Sequence, residues 1–267
     1  MDDDLIRLGL IDEEDIILDE AALSLASLDH RDVDVASYRQ LLEAIATRLR
    51  TVGGDRTRAD RQADALAAVL HGEFDFIGDR ATYDDPDNAD LIRVVDRRRG
   101  LPVSLSILYV AAARRIGWHA NVLDVPGHVL VLVGGEADPV VVDPFRGGSR
   151  VDRDELAALV AASGVGRPAA VSHVAAMPNR AILVRLLLNQ AIRAETSGKG
   201  RRALELYRRM TALAPGHGHA WWERARLERV DGDVAAARSS LGALLEVTRD
   251  PDIRRRVRDV LGRLSVR

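Results

Sequence analysis

His128 and Asp143 are the two side chains whose types and spacing first suggest chemistry. His128 opens the apolar run "HVLVLV", Asp143 ends the run "VVVD", and the turn-forming segment "GGEADP" lies between them. If that turn is centred between Gly135 and Glu136, residues whose numbers add to 271 face each other across a hairpin, and His128 faces Asp143. An aspartate in that place holds an imidazole in one tautomer and stabilises its protonated form, as in a catalytic triad. The alternative is structural: a histidine at a strand end and a turn-forming Asp-Pro.

Composition limits what a third triad member can be. The chain of 267 residues has no cysteine, which excludes disulfides, thiolate metal sites and thiol catalysis. The net charge of −3 disfavours a general affinity for nucleic acid or anionic membranes. The N-terminus is acidic where a signal peptide is basic, and no apolar run approaches the roughly 20 residues that span a bilayer. We therefore expect a cytoplasmic protein that does not bind membranes.

The elements that position these residues follow from the hydrophobic pattern. Residues 1–82 read as helices, and a helix restarts near Asn88 after Pro86, with Asp87 or Asn88 as its N-cap. A further helix covers 103–116, with Pro102 at its start and Gly117 as its terminator. Strands are predicted over 119–125, 128–133 and 140–143, followed by a short helix over 151–163.

The C-terminal segment, from Pro178 onwards, contains an internal repeat. Four pairs of positions are separated by 34 residues: Ala191 and Ala225, Gly198 and Gly232, Ala203 and Ala237, Tyr207 and Leu241. A helix–turn–helix period of 34 residues is typical of tetratricopeptide repeats. Because a small number of repeats buries little hydrophobic core by itself, we expect the segment to dock on the rest of the chain.

Taken together, these motifs resemble a known family. The run "RRRGLPVSL", the triplet "PGH" and the segment "DPFRGG" occur in the order of the transglutaminase-like fold, a relative of papain-type proteases. With "YDDPDN" and the repeat tail, the chain resembles the bacterial SirB-type proteins, a transglutaminase-like domain followed by tetratricopeptide repeats. The resemblance implies an α+β fold with a short antiparallel sheet. The implied domains are 1–175, with helices over 1–82 and the α+β core over 83–175, and the repeats over 178–267.

The resemblance also implies where a nucleophile belongs. In active transglutaminase-like enzymes a cysteine opens the helix fifteen residues before its terminal glycine, which corresponds here to Pro102, facing His128. Proline offers no nucleophile. Ser104 is the candidate hydroxyl, although two residues along a helix rotate a side chain by about 200°, away from the cysteine position. Its structural alternative is to accept a hydrogen bond from a free backbone N–H in the first helical turn.

These observations favour a non-catalytic regulatory module that binds a ligand or protein in the cleft, with a protein or peptide partner at the repeats. The alternatives are a hydrolase or acyl-transfer enzyme that uses His128 and Asp143 with Ser104 or water, and a pure repeat scaffold. We expect no cofactor and no metal. The residues expected to line the cleft are Asn88, Arg98, Pro102, Gly127 and Phe145.

Three other clusters have weaker interpretations. His217 and His219 in "GHGH" form a poor metal site without further ligands. The arginines of "RRRG" end a helix, where cations favour the helix dipole, or bind an anion beside the next helix. The arginine-rich C-terminal helix is read as the polar face of a capping helix, and a nucleic-acid tail is its minor alternative.

Overall fold

A computed structural model of the chain describes residues 3–54, 57–125, 127–135, 137–162 and 176–264. The chain divides into two compact units, one formed by residues 13–183 and the other by residues 1–12 together with 184–267. The described helices of the first unit are α2 Leu18–Ser27, α3 Val35–Gly53, α4 Ala59–Leu66, α5 Leu91–Arg97, α6 Pro102–Arg115 and α7 Arg153–Ala162. A π-helical segment, Ala67–Glu73, continues α4. None of the described helices is both long enough and apolar enough to cross a membrane.

Helix α6 is the centre of the first unit. All its residues from Pro102 to Ala113 are buried, and a helix that is apolar on every side belongs in a core. Pro102 occupies the first helical position, where its missing N–H costs no hydrogen bond. Gly117 follows the helix with φ +82°, a conformation that favours glycine. Both predicted ends of this helix are therefore confirmed to within one residue.

The main sheet is antiparallel, with strand order β3 Ala120–Val125, β4 His128–Val133, β5 Val140–Asp143 and β6 Ser149–Val151. The three predicted strands are confirmed, and β6 was not predicted. Between β4 and β5, Val131 pairs with Val142 and Val133 pairs with Val140, so partner numbers add to 273. The predicted register of 271 is therefore wrong by two residues, because the connecting loop is centred one residue later than expected.

A second, two-stranded sheet was also not predicted from the sequence. Strand β1, Ile77–Gly78, pairs in parallel with β2, Arg99–Gly100, so that Gly78 lies opposite Gly100. Strands of two residues carry no alternation that a pattern could reveal. The predicted N-cap at Asp87 or Asn88 is also wrong: Asp85 caps a short 3-10 helix, Pro86–Ala89, and Asp90 caps α5 by accepting a hydrogen bond from Arg93 N.

The second unit consists of helices joined by short turns. They are α1 Asp3–Leu10, α8 Asn179–Thr196, α9 Gly200–Leu213, α10 Gly218–Val230, α11 Val234–Val247 and α12 Pro251–Leu264, and the boundary between the two units falls within α8. Helix α1 packs on α9 where Gly9 has no side chain, because a Cβ there would lie 2.3 Å from the Ala212 carbonyl oxygen.

The 34-residue repeat has a structural counterpart in this unit. Ala203 and Ala237 are both fully buried, and Tyr207 and Leu241 are 2% and 3% exposed. Gly198 follows α8 with φ +73°, and Gly232 follows α10 with φ +85°. Equivalent sequence positions thus share burial and backbone conformation, as the proposed register of the repeat predicts.

Candidate functional site

His128 and Asp143 lie together at one edge of the main sheet. His128 is the first residue of β4 and Asp143 is the last residue of β5, and His128 Nε2 lies 2.9 Å from Asp143 Oδ2. The predicted hydrogen-bonding contact is confirmed, although the two residues are diagonal and not directly opposite. A register shift of two residues keeps both side chains on the same face of the sheet, since side chains alternate with a period of two.

Asp143 is a well-bound carboxylate. Its Oδ2 accepts a second hydrogen bond, from Arg146 Nε at 2.7 Å, and its Oδ1 accepts one from the backbone N–H of Phe145 at 2.9 Å. Burial raises the pKa of Asp143, but the hydrogen bond and charge of His128 and those of Arg146 outweigh it, so the pKa lies below its usual value. Asp143 is then ionised at neutral pH and can only accept hydrogen bonds.

The state of His128 follows from this partner. An ionised carboxylate cannot donate, so His128 Nε2 carries the proton of the shared bond. In the neutral imidazole, Nδ1 then carries the lone pair and can accept a hydrogen bond from a ligand. The side chain of His128 is 20% exposed, whereas that of Asp143 is 2% exposed. The imidazole is thus the solvent-facing member of the pair.

A His–Asp hydrogen bond alone does not define a site. His30 Nε2 lies 2.8 Å from Asp90 Oδ2, almost the same geometry, and Asp90 there also caps helix α5. The pair at His30 joins the segment between α2 and α3 to that helix end. The pair at His128 differs in its aromatic neighbours.

Phe145 is the main aromatic neighbour of His128. The two rings are edge-on with centroids 6.5 Å apart, and Tyr83 contacts Phe145 edge-on at 5.8 Å. The Phe145 ring also lies directly on Gly78, where an added Cβ would be 2.3 Å from Cδ2. Phe145 was predicted as a cleft residue, whereas Gly78 and Tyr83 were not. They come from a different chain segment, and no local pattern connects them to the histidine.

The start of helix α6 is held close to this group by the small sheet. Gly78, under Phe145, pairs with Gly100, and Pro102 begins α6 two residues later. The N-cap residue, Leu101, makes no side-chain capping bond. The position that the resemblance assigns to a cysteine is therefore an uncapped helix start occupied by proline.

Ser104 and Asn88 are structural residues. Ser104 is fully buried, and its single hydroxyl proton is shared between two acceptors, the carbonyl oxygen of Asn88 at 2.7 Å and that of Leu101 at 3.1 Å. Its predicted bond with a backbone N–H is wrong, because the hydroxyl is used as a donor. Asn88 is also fully buried, and its side-chain amide donates to the Thr82 carbonyl at 2.7 Å. This burial contradicts the prediction that Asn88 lines an open cleft.

Arg98 and Gly127 have backbone roles. Arg98 ends α5 in the left-handed conformation, and its guanidinium lies over the Phe76 ring, 4.7 Å from the centroid. Burial lowers its pKa. Gly127 directly precedes β4 and has φ +78°, with no atom within 4 Å of an added Cβ. Its positive φ is a conformation that favours glycine at the position before His128.

Tyr109 was not predicted to lie near the site. It is fully buried in α6, its hydroxyl has no hydrogen-bond partner among the described residues, and burial followed by the charge of Asp143 raises its pKa. A Cβ on Gly148 would lie 2.8 Å from this hydroxyl, and one on Gly147 would lie 2.6 Å from the His71 ring. The two glycines let the turn that carries Asp143 and Phe145 pack directly on these side chains.

The other clusters are accounted for separately. Arg97 of "RRRG" pairs with Asp79 at 3.0 Å, which matches its helix-ending interpretation. The rings of His217 and His219 are 6.3 Å apart, and among the described residues no group of three His, Asp or Glu side chains could hold a metal ion.

Comparison with known proteins identifies the family of the domain that contains the site. The family model of the transglutaminase-like superfamily matches residues 36–188, which include α6, the dyad and Phe145. The chain belongs to the transglutaminase-like superfamily. A UPF0162 protein of Xylella fastidiosa (strain 9a5c) is 28% identical over 244 residues, which cover 90% of this chain and 87% of that protein. The transglutaminase-like fold predicted from the sequence is confirmed.

More distant similarities are partial or structural. F-box only protein 21 of Mus musculus is 25% identical over 146 residues, which cover 49% of this chain and 23% of that protein. The crystal structure of menin aligns with a TM-score of 0.40 at 13% identity, over 91% of this chain and 68% of menin. The transglutaminase-like domain itself is the similarity that bears on the site.

Proposed function

We propose that the transglutaminase-like domain is a non-catalytic binding module whose cleft is centred on His128 and Phe145. The observation that carries the proposal is the replacement of the nucleophile in a domain that retains the dyad. Pro102 begins α6 where the resemblance places a cysteine, while His128 and Asp143 keep a 2.9 Å hydrogen bond. Nucleophilic catalysis needs an activated hydroxyl or thiol beside the base, and the chain has no cysteine at all.

The serine alternative is disfavoured by burial. Ser104 is fully buried, and its proton is committed to the Asn88 carbonyl. To attack a substrate it would have to break that bond and reach solvent from inside α6. The remaining enzymatic alternative is a hydrolase in which His128 activates a water molecule, which the intact dyad supports.

Arg146 supports a binding role for the dyad. It shares Oδ2 of Asp143 with His128 and also pairs with Glu155, so the Asp143 carboxylate is held by two side-chain donors and not by the histidine alone. In its neutral form, His128 offers Nδ1 as a hydrogen-bond acceptor.

The chemistry of the cleft indicates the kind of ligand. It offers one acceptor, His128 Nδ1, beside the aromatic rings of Phe145 and Tyr83. A ligand that carries a hydrogen-bond donor next to an apolar or aromatic group fits this combination, and a peptide side chain satisfies both requirements. The resemblance to SirB-type proteins, with repeats read as tetratricopeptide units, supports a regulatory module that also binds a protein partner.

A ligand screen on matched variants tests the proposal. Peptides and metabolites are screened by thermal shift against the full chain, His128→Ala and His30→Ala. The His30 variant removes a His–Asp hydrogen bond of nearly equal length, 2.8 Å against 2.9 Å, from a pair that lacks these aromatic neighbours. We expect at least one ligand to stabilise the wild type and His30→Ala but not His128→Ala. Ligands that stabilise all three proteins equally, or none that stabilise the wild type, would contradict a binding role for the cleft.

A further inference from the structure

A groove in the second unit combines an apolar floor with arginines at its rim. It lies among α10, α11 and α12 and has a volume of about 560 Å³. We call it the α10–α12 groove and define it by six of its lining residues: Trp222, Leu244, Val247, Arg249, Ile253 and Arg256. It belongs to a different compact unit from His128 and Phe145.

The floor of the groove is apolar and open to solvent. Leu244 is buried, whereas Val247 and Ile253 are 37% and 39% exposed. Val247 ends α11 and Ile253 lies in the first turn of α12, so the two side chains flank the junction between these helices. Covering exposed apolar side chains of this size with another apolar surface removes them from water, which makes the free energy of binding more favourable.

The cations of the groove are not neutralised within the part of the chain that the structure describes. Arg256 lies over the Trp222 ring at 4.9 Å from its centroid, a cation–π contact, and neither Arg256 nor Arg249 forms an ion pair with a described carboxylate. The acidic residue that lines the groove, Glu223, is engaged by Arg226, which also pairs with Glu195. Two positive charges therefore face the groove without a matching negative charge.

Neighbouring arginines on α12 do not extend this charge into a continuous basic stripe. Arg255 pairs with Asp252 at 2.7 Å, and the guanidinium of Arg254 donates to the backbone carbonyls of Leu245 and Thr248. Binding along a nucleic-acid backbone uses many open cations in a row. The local arrangement of two cations beside an apolar floor fits a short polypeptide segment better.

From this charge complementarity we infer that the α10–α12 groove binds an acidic peptide segment of a partner protein. The segment would place a large apolar side chain between Val247 and Ile253 and put its carboxylates against Arg249 and Arg256. This inference rests on the proposed binding of a protein partner and states the chemistry of the bound segment, but it does not depend on a ligand near His128. The two can fail separately, because they use different residues.

Selection from a random library of 12-residue peptides tests the inference. The full chain is compared with the double variant Arg249→Gln, Arg256→Gln and with a control, Arg255→Gln, Arg258→Gln, which removes the same charge from the same helix region outside the groove. We expect peptides enriched in Asp or Glu next to a large apolar residue with the wild type and the control. With the groove variant, the affinity of a selected peptide should fall by about tenfold or more, because two charge-assisted contacts are lost.

Several results would overturn the inference. They are no enrichment, enrichment of neutral or basic sequences, or equal affinity of the selected peptide for the groove variant and the control. A concentration-dependent dimer that only the groove variant dissociates would assign the groove to a second copy of the chain, and tighter binding of single-stranded nucleic acid than of any peptide would assign it to that polymer. Thermal midpoints of all variants identify any loss of folding, and His128→Ala should leave the peptide affinity unchanged.

Discussion

The packing of Phe145 on Gly78 gives a quantitative prediction about the surroundings of His128. In Gly78→Ala the new Cβ would lie 2.3 Å from Cδ2 and 2.4 Å from Cγ of Phe145. Carbon atoms in contact are about 3.5–4.0 Å apart, so the ring must move by more than about 1 Å. Tyr83 and His128 contact the same ring at 5.8 and 6.5 Å and restrict where it can go. Overpacking of this kind costs about 1–3 kcal/mol.

This cost can be measured by thermal or denaturant unfolding. For a unit the size of residues 13–183, a destabilisation of about 1–3 kcal/mol lowers the melting temperature by about 2–12 °C. Gly135→Ala is the control, because its added Cβ has no atom within 4 Å. NMR signals of the His128 ring should also shift as Phe145 moves, and they should stay in place in the control. Equal midpoints for the two variants, with unchanged His128 signals, would refute the packing described here.

Three further predictions concern other parts of the chain. Ala203→Trp should lower the free energy of unfolding in denaturant melts by about 1–3 kcal/mol or more, because Ala203 is fully buried. Arg201→Trp should be nearly neutral, because the Arg201 side chain is 91% exposed. Equal denaturation midpoints for the two variants would disprove the repeat register. In Pro102→Cys the rate of alkylation by iodoacetamide should reach half its maximum at a lower pH than for a free cysteine model, since a helix N-terminus lowers a thiol pKa, although burial of this position slows the maximal rate; a midpoint at or above that of the free model would place the relic nucleophile elsewhere. The lowered pKa of Asp143 stabilises the fold above the unfolded aspartate value of about 3.9, and this contribution is lost as pH falls through the folded value. The difference in melting temperature between wild type and Asp143→Asn should therefore shrink from pH 5 to pH 3, and a constant difference would count against the shift.

Local patterns in the sequence predicted the elements that position the dyad. Pro102 and Gly117 marked the ends of α6, because each residue has a backbone preference that suits only that end of a helix. The contact of His128 with Asp143 was also predicted, even though the register was wrong by two residues. A register error of one residue would have put the two side chains on opposite faces of the sheet, whereas an error of two residues leaves them on the same face.

The surroundings of the dyad could not be predicted in this way. Gly78 and Tyr83 reach Phe145 from a segment more than sixty residues earlier, through a two-residue strand that has no periodicity. Asn88 was expected in the cleft, but burial and a hydrogen bond to Thr82 make it part of a loop's internal structure. Arg146 was in view within "DPFRGG", but only the fold shows that it shares Oδ2 of Asp143 with the histidine.

The central claim is that the His128 cleft binds a ligand without transforming it. The most direct measurement incubates the full chain with a ligand whose thermal stabilisation depends on His128, at several-fold molar excess, and determines the ligand's mass and amount by mass spectrometry over time. We predict saturable binding with full recovery of the unchanged ligand, and no difference from His128→Ala in the recovered mass. Conversion of more than one equivalent of ligand by the wild type, abolished in His128→Ala and retained in His30→Ala, would contradict the claim and establish the dyad as catalytic.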